Sequence, residues 1–173
     1  MTNTQTSRVP LRSRPQLPDG YGVPATDEGL VDWSWAVAQL ERARNFWFST
    51  TRPDSRPHAM PAWAVWIDDA LYFDGSPETR RSRNLATNPN IVVHLESGDN
   101  VVVLEGQGLE AGRPTPEFAA RLAAAFEVKY GASHDYHPEP TTWDGGGLWV
   151  LRPKVAFAWD KFPTGLTRWR FPD

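Results

Sequence analysis

Three arginines crowd into one short stretch of the sequence that reads SPETRRSRNLATNP, from Ser76 to Pro89. Ser76 is a good N-cap and Pro77 suits the first helical position, so the stretch predicts the start of a helix. The free backbone N–H groups at such an end, together with the Arg80 and Arg81 side chains, suit an anion. Guanidinium groups match phosphate oxygens bidentately, so phosphate is the ligand that this stretch predicts.

The same residues also fit a second interpretation. Arg80, Arg81 and Arg83 could form a solvated basic face that Glu78 balances. The residue types alone do not choose between a phosphate site and such a face.

The chain as a whole has the size of one ordinary domain, with 173 residues and 40% apolar side chains. A net charge of −3 gives no global basic field, which argues against broad nucleic-acid binding. No apolar run approaches the roughly 20 residues of a membrane span, and the N-terminus lacks the apolar region of a signal peptide. We therefore expect a cytoplasmic protein. The chain has no cysteine, which excludes disulfides and thiolate metal sites.

The hydrophobic pattern predicts a mainly β domain with flanking helices. Residues 1–26 combine prolines and arginines without an apolar period, which predicts a flexible tail before a single domain at 27–173. Seven strands are predicted, at 44–51, 57–68, 70–75, 90–97, 100–111, 147–153 and 154–160. Helices are predicted at 27–44, from residue 76, and at 115–131. Strands in meander order with three helices fit an antiparallel barrel flanked by helices.

Local signals refine these boundaries. Asp32 is a suitable N-cap for the first helix, Thr115 caps the third, and Gly131 is expected to end it. Gly106 and Gly108 within one strand predict a bulge or a sharp bend. The loop at 132–147 is long, polar and glycine-rich, which is typical of functional or mobile segments.

The run from His58 to Gly106 resembles the pyridoxamine 5'-phosphate oxidase-like flavin-binding split barrels, a group that includes deazaflavin-dependent reductases. In those families a strand of the type PHxxPxW is followed by a second strand, a phosphate-binding SRK turn and the pattern RNLxxNP. Here Thr79-Arg80-Arg81 stands in the place of Ser-Arg-Lys, and Arg83-Asn84-Leu85 with Asn88-Pro89 completes the pattern. The resemblance covers roughly residues 44–110, and the combined spacing is more specific than any one motif.

This resemblance implies a six- to seven-stranded antiparallel split β-barrel that binds FMN or coenzyme F-420. It implies that Arg80 and Arg81 grip the cofactor phosphate and that Thr79 supports it. Arg81 departs from the usual lysine, which keeps the charge but changes the donor geometry. The remaining residues that it places in the cofactor pocket are Gly75 and Ser76, at the end of a strand, and His58, Met60, Pro61, Ala62 and Trp63, along the strand beneath the ring.

Such split barrels are typically homodimers in which side chains of the second subunit close each cofactor pocket. Candidates for that role in this chain are Arg168, Trp143, Trp149, Trp159 and Trp169. The resemblance implies an oxidoreductase whose cofactor transfers a hydride to or from a small organic substrate, and we predict no catalytic acid or base. A pyridoxamine phosphate oxidase in the strict sense is disfavoured, because its C-terminal substrate signature is not recognisable in TRWRFPD.

Two alternatives remain beside the redox enzyme. The protein could be a non-catalytic flavin or deazaflavin carrier, or a haem-binding split barrel with a histidine as axial ligand. A metal site at His134 and His137 is not predicted, because no third ligand is spaced on a regular element and a mobile polar loop explains both residues. His94 alternates with apolar residues and is interpreted as structural.

Overall fold

The computed structural model describes residues 10–172 as a nine-stranded sheet with helices packed against it. The strands are β1 (Leu11–Ser13), β2 (Phe46–Thr51), β3 (Pro57–Ala62), β4 (Val65–Ile67), β5 (Ala70–Asp74), β6 (Asn90–His94), β7 (Val101–Glu110), β8 (Leu148–Trp159) and β9 (Thr167–Arg170). The helices are α1 (Trp33–Arg42), α2 (Arg80–Thr87), α3 (Pro116–Phe126) and the short α4 (Ala132–His134). A π-helical turn (Glu127–Gly131) joins α3 to α4, and a 3-10 turn (Pro140–Trp143) follows.

All ladders of the sheet are antiparallel, and the strand order is β1-β9-β8-β7-β6-β2-β3. Strand β4 pairs with β5, and β5 pairs with β8, so β8 has three neighbours. Within residues 10–172 no ladder joins the outer strands β1 and β3, so the sheet is not closed. The predicted class, a mainly antiparallel split barrel with flanking helices, is confirmed.

Alternating side chains build the core. In β2, Phe46 and Phe48 are fully buried while their neighbours are half-buried, which is the period of two expected of a strand. They belong to a cluster between the sheet and α1 that includes Leu40. A second cluster lies under α3 and the π-helical turn, where Phe126 and Tyr130 are fully buried.

The strand predictions differ from the structure at four places, since β1 and β9 were not predicted as strands and two predicted boundaries are wrong. The run predicted as one strand at 57–68 forms β3 and β4, which are separated at Trp63 and Ala64. The two strands predicted at 147–153 and 154–160 form the single strand β8. A register shift occurs beside Gly106, where a bulge or sharp bend was predicted, but the extra residue lies on the opposite strand β8. Glu105 faces Val155 and Gly106 faces Pro153, so Lys154 is the extra residue and the strand continues past it.

The three predicted helices are present, but their first or last residues differ from the prediction. The first helix begins at Trp33 rather than near residue 27, with Asp32 at the N-cap, although the Asp32 side chain makes no capping hydrogen bond. Thr115 caps α3, and its side chain accepts a hydrogen bond from the backbone N–H of Phe118 at 3.3 Å. Gly131 does not end the helical segment, because its backbone stays right-handed. Asp135 ends it with a left-handed φ of 53°.

The segment predicted as a flexible tail is only partly described, since residues 1–9 lie outside the described part of the chain. Of the remainder, β1 pairs with β9 at the edge of the sheet. Arg14 follows β1 and donates to the carbonyl oxygens of Thr26 at 2.7 Å and Glu28 at 2.6 Å. The part of the segment next to β1 is thus attached to the domain by a ladder and by side-chain hydrogen bonds.

The described part of the chain, residues 10–172, contains no helix with the length and apolar character needed to cross a membrane.

Candidate functional site

Strand β3 is an exposed edge of the sheet and carries four of the predicted cofactor residues, namely His58, Met60, Pro61 and Ala62. It pairs with β2 on one side only, and four of its six residues are exposed. His58 lies opposite Thr50, and Met60 lies opposite Phe48 with 54% of its surface exposed. Because alternate residues share a face, His58 and Met60 lie on the same side of the sheet as the buried Phe48.

Helix α2 begins beside this face, and its start differs from the prediction. The N-cap is Thr79 rather than Ser76, because Thr79 Oγ1 accepts a hydrogen bond from the backbone N–H of Ser82 at 3.2 Å. Ser76 forms a separate turn, in which its Oγ accepts from the backbone N–H of Glu78 at 3.2 Å. The first helical residue is therefore Arg80, so both predicted phosphate ligands lie at the N-terminal end of the helix.

Arg81 turns inward from this end. Its guanidinium carbon lies 4.8 Å from the ring centre of Phe48 and 4.9 Å from that of Phe73. Its Nη2 donates to the backbone carbonyl of Asp74 at 2.5 Å, and its Nε is buried without a hydrogen-bond partner. Burial lowers the pKa of Arg81, and the charge of Asp74 opposes this shift. Arg80, by contrast, is exposed.

A third arginine, Arg52, belongs to the same group. Desolvation lowers the pKa of His58 on β3, and the charges of Arg52, Arg80 and Arg81 lower it further. Within residues 10–172 none of the three arginines forms a salt bridge with an acidic side chain. Arg52 Nε is buried without a partner. We call Arg52, His58, Arg80 and Arg81 the cationic cluster.

A buried polar pair supports the cationic cluster from below. Asn84 on α2 donates from Nδ2 to Thr50 Oγ1 at 2.9 Å, and Thr50 Oγ1 lies 3.4 Å from Nδ1 of His58. Both residues are buried, and Asn84 Oδ1 has no hydrogen-bond partner. Sequence reasoning assigned no site role to Thr50 or Arg52, which carry no motif. Asn84 was noted only as part of the RNLxxNP pattern.

The other predicted residues are distributed around this cluster. Pro61 and Ala62 complete β3, whereas Trp63 stacks on Tyr130 with ring centres 4.8 Å apart and belongs to the core under α3. Gly75 borders Arg81, because a Cβ built on this glycine would lie 2.7 Å from Arg81 Nη2. Ser76 is exposed beside it.

The residues predicted to reach a partner subunit fall into two groups. Trp143, Trp149 and Trp169 are buried in this chain's own core. Arg168 is half-buried on β9, distant in strand order from β3, and its Nε and Nη2 donate to Ser13 Oγ at 3.2 Å each. It belongs to a row across the sheet that comprises Trp47, His94, Val103, Phe157 and Arg168 and continues to Pro61 on β3 and Ser13 on β1. All five are half-buried, so this row has no fully covered member.

The histidines of the 132–147 segment are exposed. His137 lies 2.7 Å from a Glu127 oxygen and 3.0 Å from an Asp135 oxygen, which together raise its pKa. Residues 10–172 contain no group of three or more histidine, aspartate or glutamate side chains that could hold a metal ion.

A model of the pyridoxamine 5'-phosphate oxidase family matches residues 36–160. The chain belongs to this family. The match covers β2 to β8 and therefore includes β3, α2 and the cationic cluster. It confirms the resemblance stated from the sequence. No curated protein sequence shows a significant match to the chain.

Solved structures share the fold of this family. A haem-binding protein from Mycobacterium smegmatis matches 82% of this chain and 57% of its own, with 18% identity and a TM-score of 0.58. A FAD-binding protein from Mesorhizobium loti matches 83% and 96%, with 16% identity and a TM-score of 0.56. An F420 reductase matches 91% and 97%, with 16% identity and a TM-score of 0.50. At these identities the similarity establishes the fold.

The cationic cluster fits the phosphate that flavin and deazaflavin cofactors carry. Among residues 10–172 the Nε atoms of Arg52 and Arg81 are buried donors without partners, and unsatisfied buried groups of this kind are uncommon in folded proteins. Three arginines without acidic partners supply the charge, and the start of α2 adds the positive end of a helix dipole. The donor set is that of an anion site.

Proposed function

We propose that the protein is a cytoplasmic, homodimeric oxidoreductase that binds FMN or coenzyme F-420 and transfers a hydride to or from a small organic substrate. One observation carries this proposal: Arg52, Arg80 and Arg81 act electrostatically on His58 of the exposed strand β3, and within residues 10–172 none of them forms a salt bridge. A cationic site without salt bridges next to an open strand suits a ligand that has both a phosphate and a flat ring.

The residues divide the work of binding. Arg80 is exposed and free to reach a phosphate, whereas Arg81 is fixed between two phenylalanine rings and adds its charge from beneath. His58 and Met60 offer the face of β3 on which a ring would lie, with Thr50 holding His58 in place. The cofactor, when bound, supplies the hydride chemistry through its central ring. Arg80 and Arg81 would hold the cofactor's phosphate, and His58 and Met60 would orient its ring.

The homodimer is supported by the row that runs across the sheet from Trp47 to Phe157. Its aromatic and apolar side chains are half-buried in one chain, as expected of a face that a second copy covers. In such a dimer we expect Arg168, which belongs to the same row, to approach the partner's site. Light scattering at micromolar concentration should give twice the mass of the chain, and Phe157→Glu should give the single-chain mass.

Parallel titration of the protein with FMN and with F-420, followed by tryptophan fluorescence, tests the cofactor. We expect one of the two ligands to saturate the protein. The affinity for that ligand should be weaker in Arg80→Ala and unchanged in Arg83→Ala. The two arginines lie on the same helix, and only Arg80 belongs to the cationic cluster, so Arg83→Ala is the matched control. No saturation by either ligand would refute the proposal.

A non-catalytic carrier would use the same site, so binding alone does not separate it from an enzyme. Rapid reduction of the bound cofactor by a reduced nicotinamide supports the enzyme. Reoxidation of the reduced cofactor by a nitroaromatic or quinone acceptor would complete the turnover. A bound cofactor that no donor or acceptor turns over supports the carrier.

Haem binding is a second candidate, because a haem-binding protein shares the fold and His58 is half-buried at the open strand. His58 Nδ1 faces Thr50, and within residues 10–172 its Nε2 has no hydrogen-bond partner, so this nitrogen could act as an axial ligand. Addition of hemin should then give a Soret band that His58→Ala abolishes and His94→Ala retains. A spectrum equal to that of free hemin excludes this candidate.

A further inference from the structure

Three side chains form a series of hydrogen bonds that runs from α2 to the exposed strand β3. Asn84 Nδ2 donates to Thr50 Oγ1 at 2.9 Å, and Thr50 Oγ1 lies 3.4 Å from Nδ1 of His58. Only 4% of the Thr50 surface and none of the Asn84 surface is exposed, whereas His58 is half-buried. The series therefore connects the interior of the domain to the strand on which a ligand ring would lie.

The direction of these hydrogen bonds follows from their donors and acceptors. A threonine hydroxyl has one hydrogen to donate, and its oxygen can accept at the same time. Thr50 Oγ1 accepts from Asn84, so its own hydrogen is free for His58 Nδ1, its other hydrogen-bond partner within residues 10–172. The reverse orientation of the Asn84 amide would leave two buried N–H hydrogens unpaired in place of one oxygen, which costs more.

The His58 ring is neutral near pH 7, because desolvation and the three arginine charges of the cationic cluster lower its pKa. A neutral imidazole carries a hydrogen on only one of its two nitrogens. Since Nδ1 accepts from Thr50, this hydrogen lies on Nε2. Within residues 10–172 the Nε2 atom has no hydrogen-bond partner and, unlike Nε of Arg52 and of Arg81, it is not fully buried. A ligand can therefore reach it.

We infer that Asn84 and Thr50 are positioning residues that fix His58 as a hydrogen-bond donor through Nε2. This donor recognises an acceptor atom on the edge of the ligand's ring. The inference deepens the proposed function and rests on it, since the rings of FMN and F-420 both carry carbonyl oxygens that accept hydrogen bonds. The three arginines of the cationic cluster are charged and suit the phosphate. His58 is the neutral member of the cluster, and it is the one that contacts the ring.

The same arrangement distinguishes this contact from haem ligation. A histidine binds a metal through a nitrogen that carries no hydrogen, and its other ring nitrogen donates to a neighbouring group. Haem ligation by His58 Nε2 would thus need the hydrogen on Nδ1, with Thr50 as its acceptor. The position of one hydrogen on the His58 ring therefore separates the two candidate ligands.

This position can be measured by ¹⁵N NMR of the full chain, labelled at histidine and without added cofactor, at pH 8, where the His58 ring is neutral. His58→Gln identifies the two ring signals. We expect a single tautomer, in which Nε2 has the shift of a protonated nitrogen and Nδ1 that of an accepting nitrogen. In Thr50→Val both tautomers should be populated, because Nδ1 has lost its donor, whereas Thr50→Ser should retain the single tautomer.

Thr51→Val is the matched control, since Thr51 follows Thr50 on β2 and its side chain points to the opposite face of the sheet. It should leave the His58 tautomer unchanged. In Asn84→Asp the carboxylate can only accept, so Thr50 should donate to it and the His58 hydrogen should move to Nδ1. The Thr50 variants provide the test even if Asn84→Asp does not fold. A hydrogen on Nδ1 in the unmodified protein, or equal spectra of that protein and Thr50→Val, would overturn the inference.

Titration of the labelled protein with FMN and with F-420 tests the contact to the ring. Saturation by one of them should shift the Nε2 signal of His58, and His58→Phe should bind that ligand about fivefold more weakly, as expected for one lost hydrogen bond. Saturation that leaves the Nε2 signal unmoved would overturn the inference while the proposed function stands. No saturation by either ligand would refute the proposed function and, with it, the contact to the ring.

Discussion

A single carbon added to Gly75 would lie 2.7 Å from Nη2 of Arg81. The same nitrogen donates to the carbonyl of Asp74, and the guanidinium is packed against Phe48 and Phe73. The absence of a side chain at residue 75 is therefore what allows Arg81 to lie under the end of β5. This contact links the loop at 75–79 to the cationic cluster.

Gly75→Ala is expected to displace the Arg81 guanidinium, because that group is held by two rings and a carbonyl and has little room to move. Cofactor affinity should fall by about tenfold, with a loss of stability of about 1 kcal/mol. Isothermal calorimetry and urea unfolding measure the two effects. Gly98→Ala is the control, since a Cβ there meets no atom within 4 Å. Equal effects of the two substitutions would contradict this account.

Arg80→Ala and Arg81→Ala are expected to differ. Arg80 is exposed, so its loss should weaken cofactor binding by about 1 to 3 kcal/mol and leave the unfolding midpoint unchanged. Arg81 is packed against aromatic rings, so its loss should weaken binding and also lower the free energy of unfolding by about 1 to 3 kcal/mol. Titration and urea unfolding of both variants measure these effects. An unfolding curve of Arg81→Ala that superimposes on that of the unmodified protein would count against the packing described.

Arg14→Ala is expected to loosen the N-terminal segment. The Arg14 guanidinium donates to the carbonyl oxygens of Thr26, Glu28 and Thr164 at 2.7, 2.6 and 3.0 Å, so it ties two loops together. Its loss should cost about 1 to 3 kcal/mol of stability, measured by urea unfolding. Arg12→Ala is the control, because Arg12 forms only an exposed pair with Asp32, and such pairs contribute about 0 to 1 kcal/mol. A larger effect at Arg12 than at Arg14 would be contrary to expectation.

Lys129 makes stability depend on pH. Its Nζ donates to the carbonyl oxygens of Leu40 and Ala64 at 3.2 Å each, and burial lowers the pKa of Lys129 to about 8, against 10.5 for the free side chain. The unfolded chain thus binds more protons than the folded chain between these values. Stability should rise through this window by up to about 1 kcal/mol per pH unit, relative to Lys129→Met.

Urea unfolding at several pH values between 7 and 10.5 tests this expectation. The difference between the unmodified protein and Lys129→Met isolates the lysine, because other groups that titrate in the window are common to both. Burial raises the pKa of the adjacent Tyr130 to about 12 in the folded chain, and its effect on stability is common to the unmodified protein and Lys129→Met. Lys161→Met, at an exposed position, should show no such slope. A pH-independent difference for Lys129→Met would rule out the expected shift.

The elements with strong local signals are predictable from the sequence. Phe46 and Phe48 alternate with half-buried residues as β2 requires, and the register shift beside Gly106 follows from glycine in a strand. A Cβ on Gly106 would lie 2.7 Å from the Arg152 carbonyl, so the signal has a steric cause. The helix that carries Arg80, Arg81 and Arg83 is predictable as well, because its capping residues and its run of like charges are local features.

Features that depend on contacts distant in sequence were not predictable. Arg52 and Thr50 join the site only because the β2–β3 hairpin brings them to α2, and neither carries a motif. Ser76 and Thr79 could both cap a helix, and which of them does so depends on the path of the chain after the end of β5. That Arg81 faces inward follows from the space at Gly75, which no periodicity reveals.

The pairing of strand β8 determines how the sheet unfolds. It is the only described strand that pairs with three others, namely β5, β7 and β9, so its backbone amides cannot separate from one partner without disturbing the rest. The amides of Leu151 and Ala156, whose side chains are fully buried, should exchange with solvent only through global unfolding. The edge strand β3 should exchange through local fluctuations of much lower free energy. The most deformable part of the sheet is thus the part on which a ligand would be received.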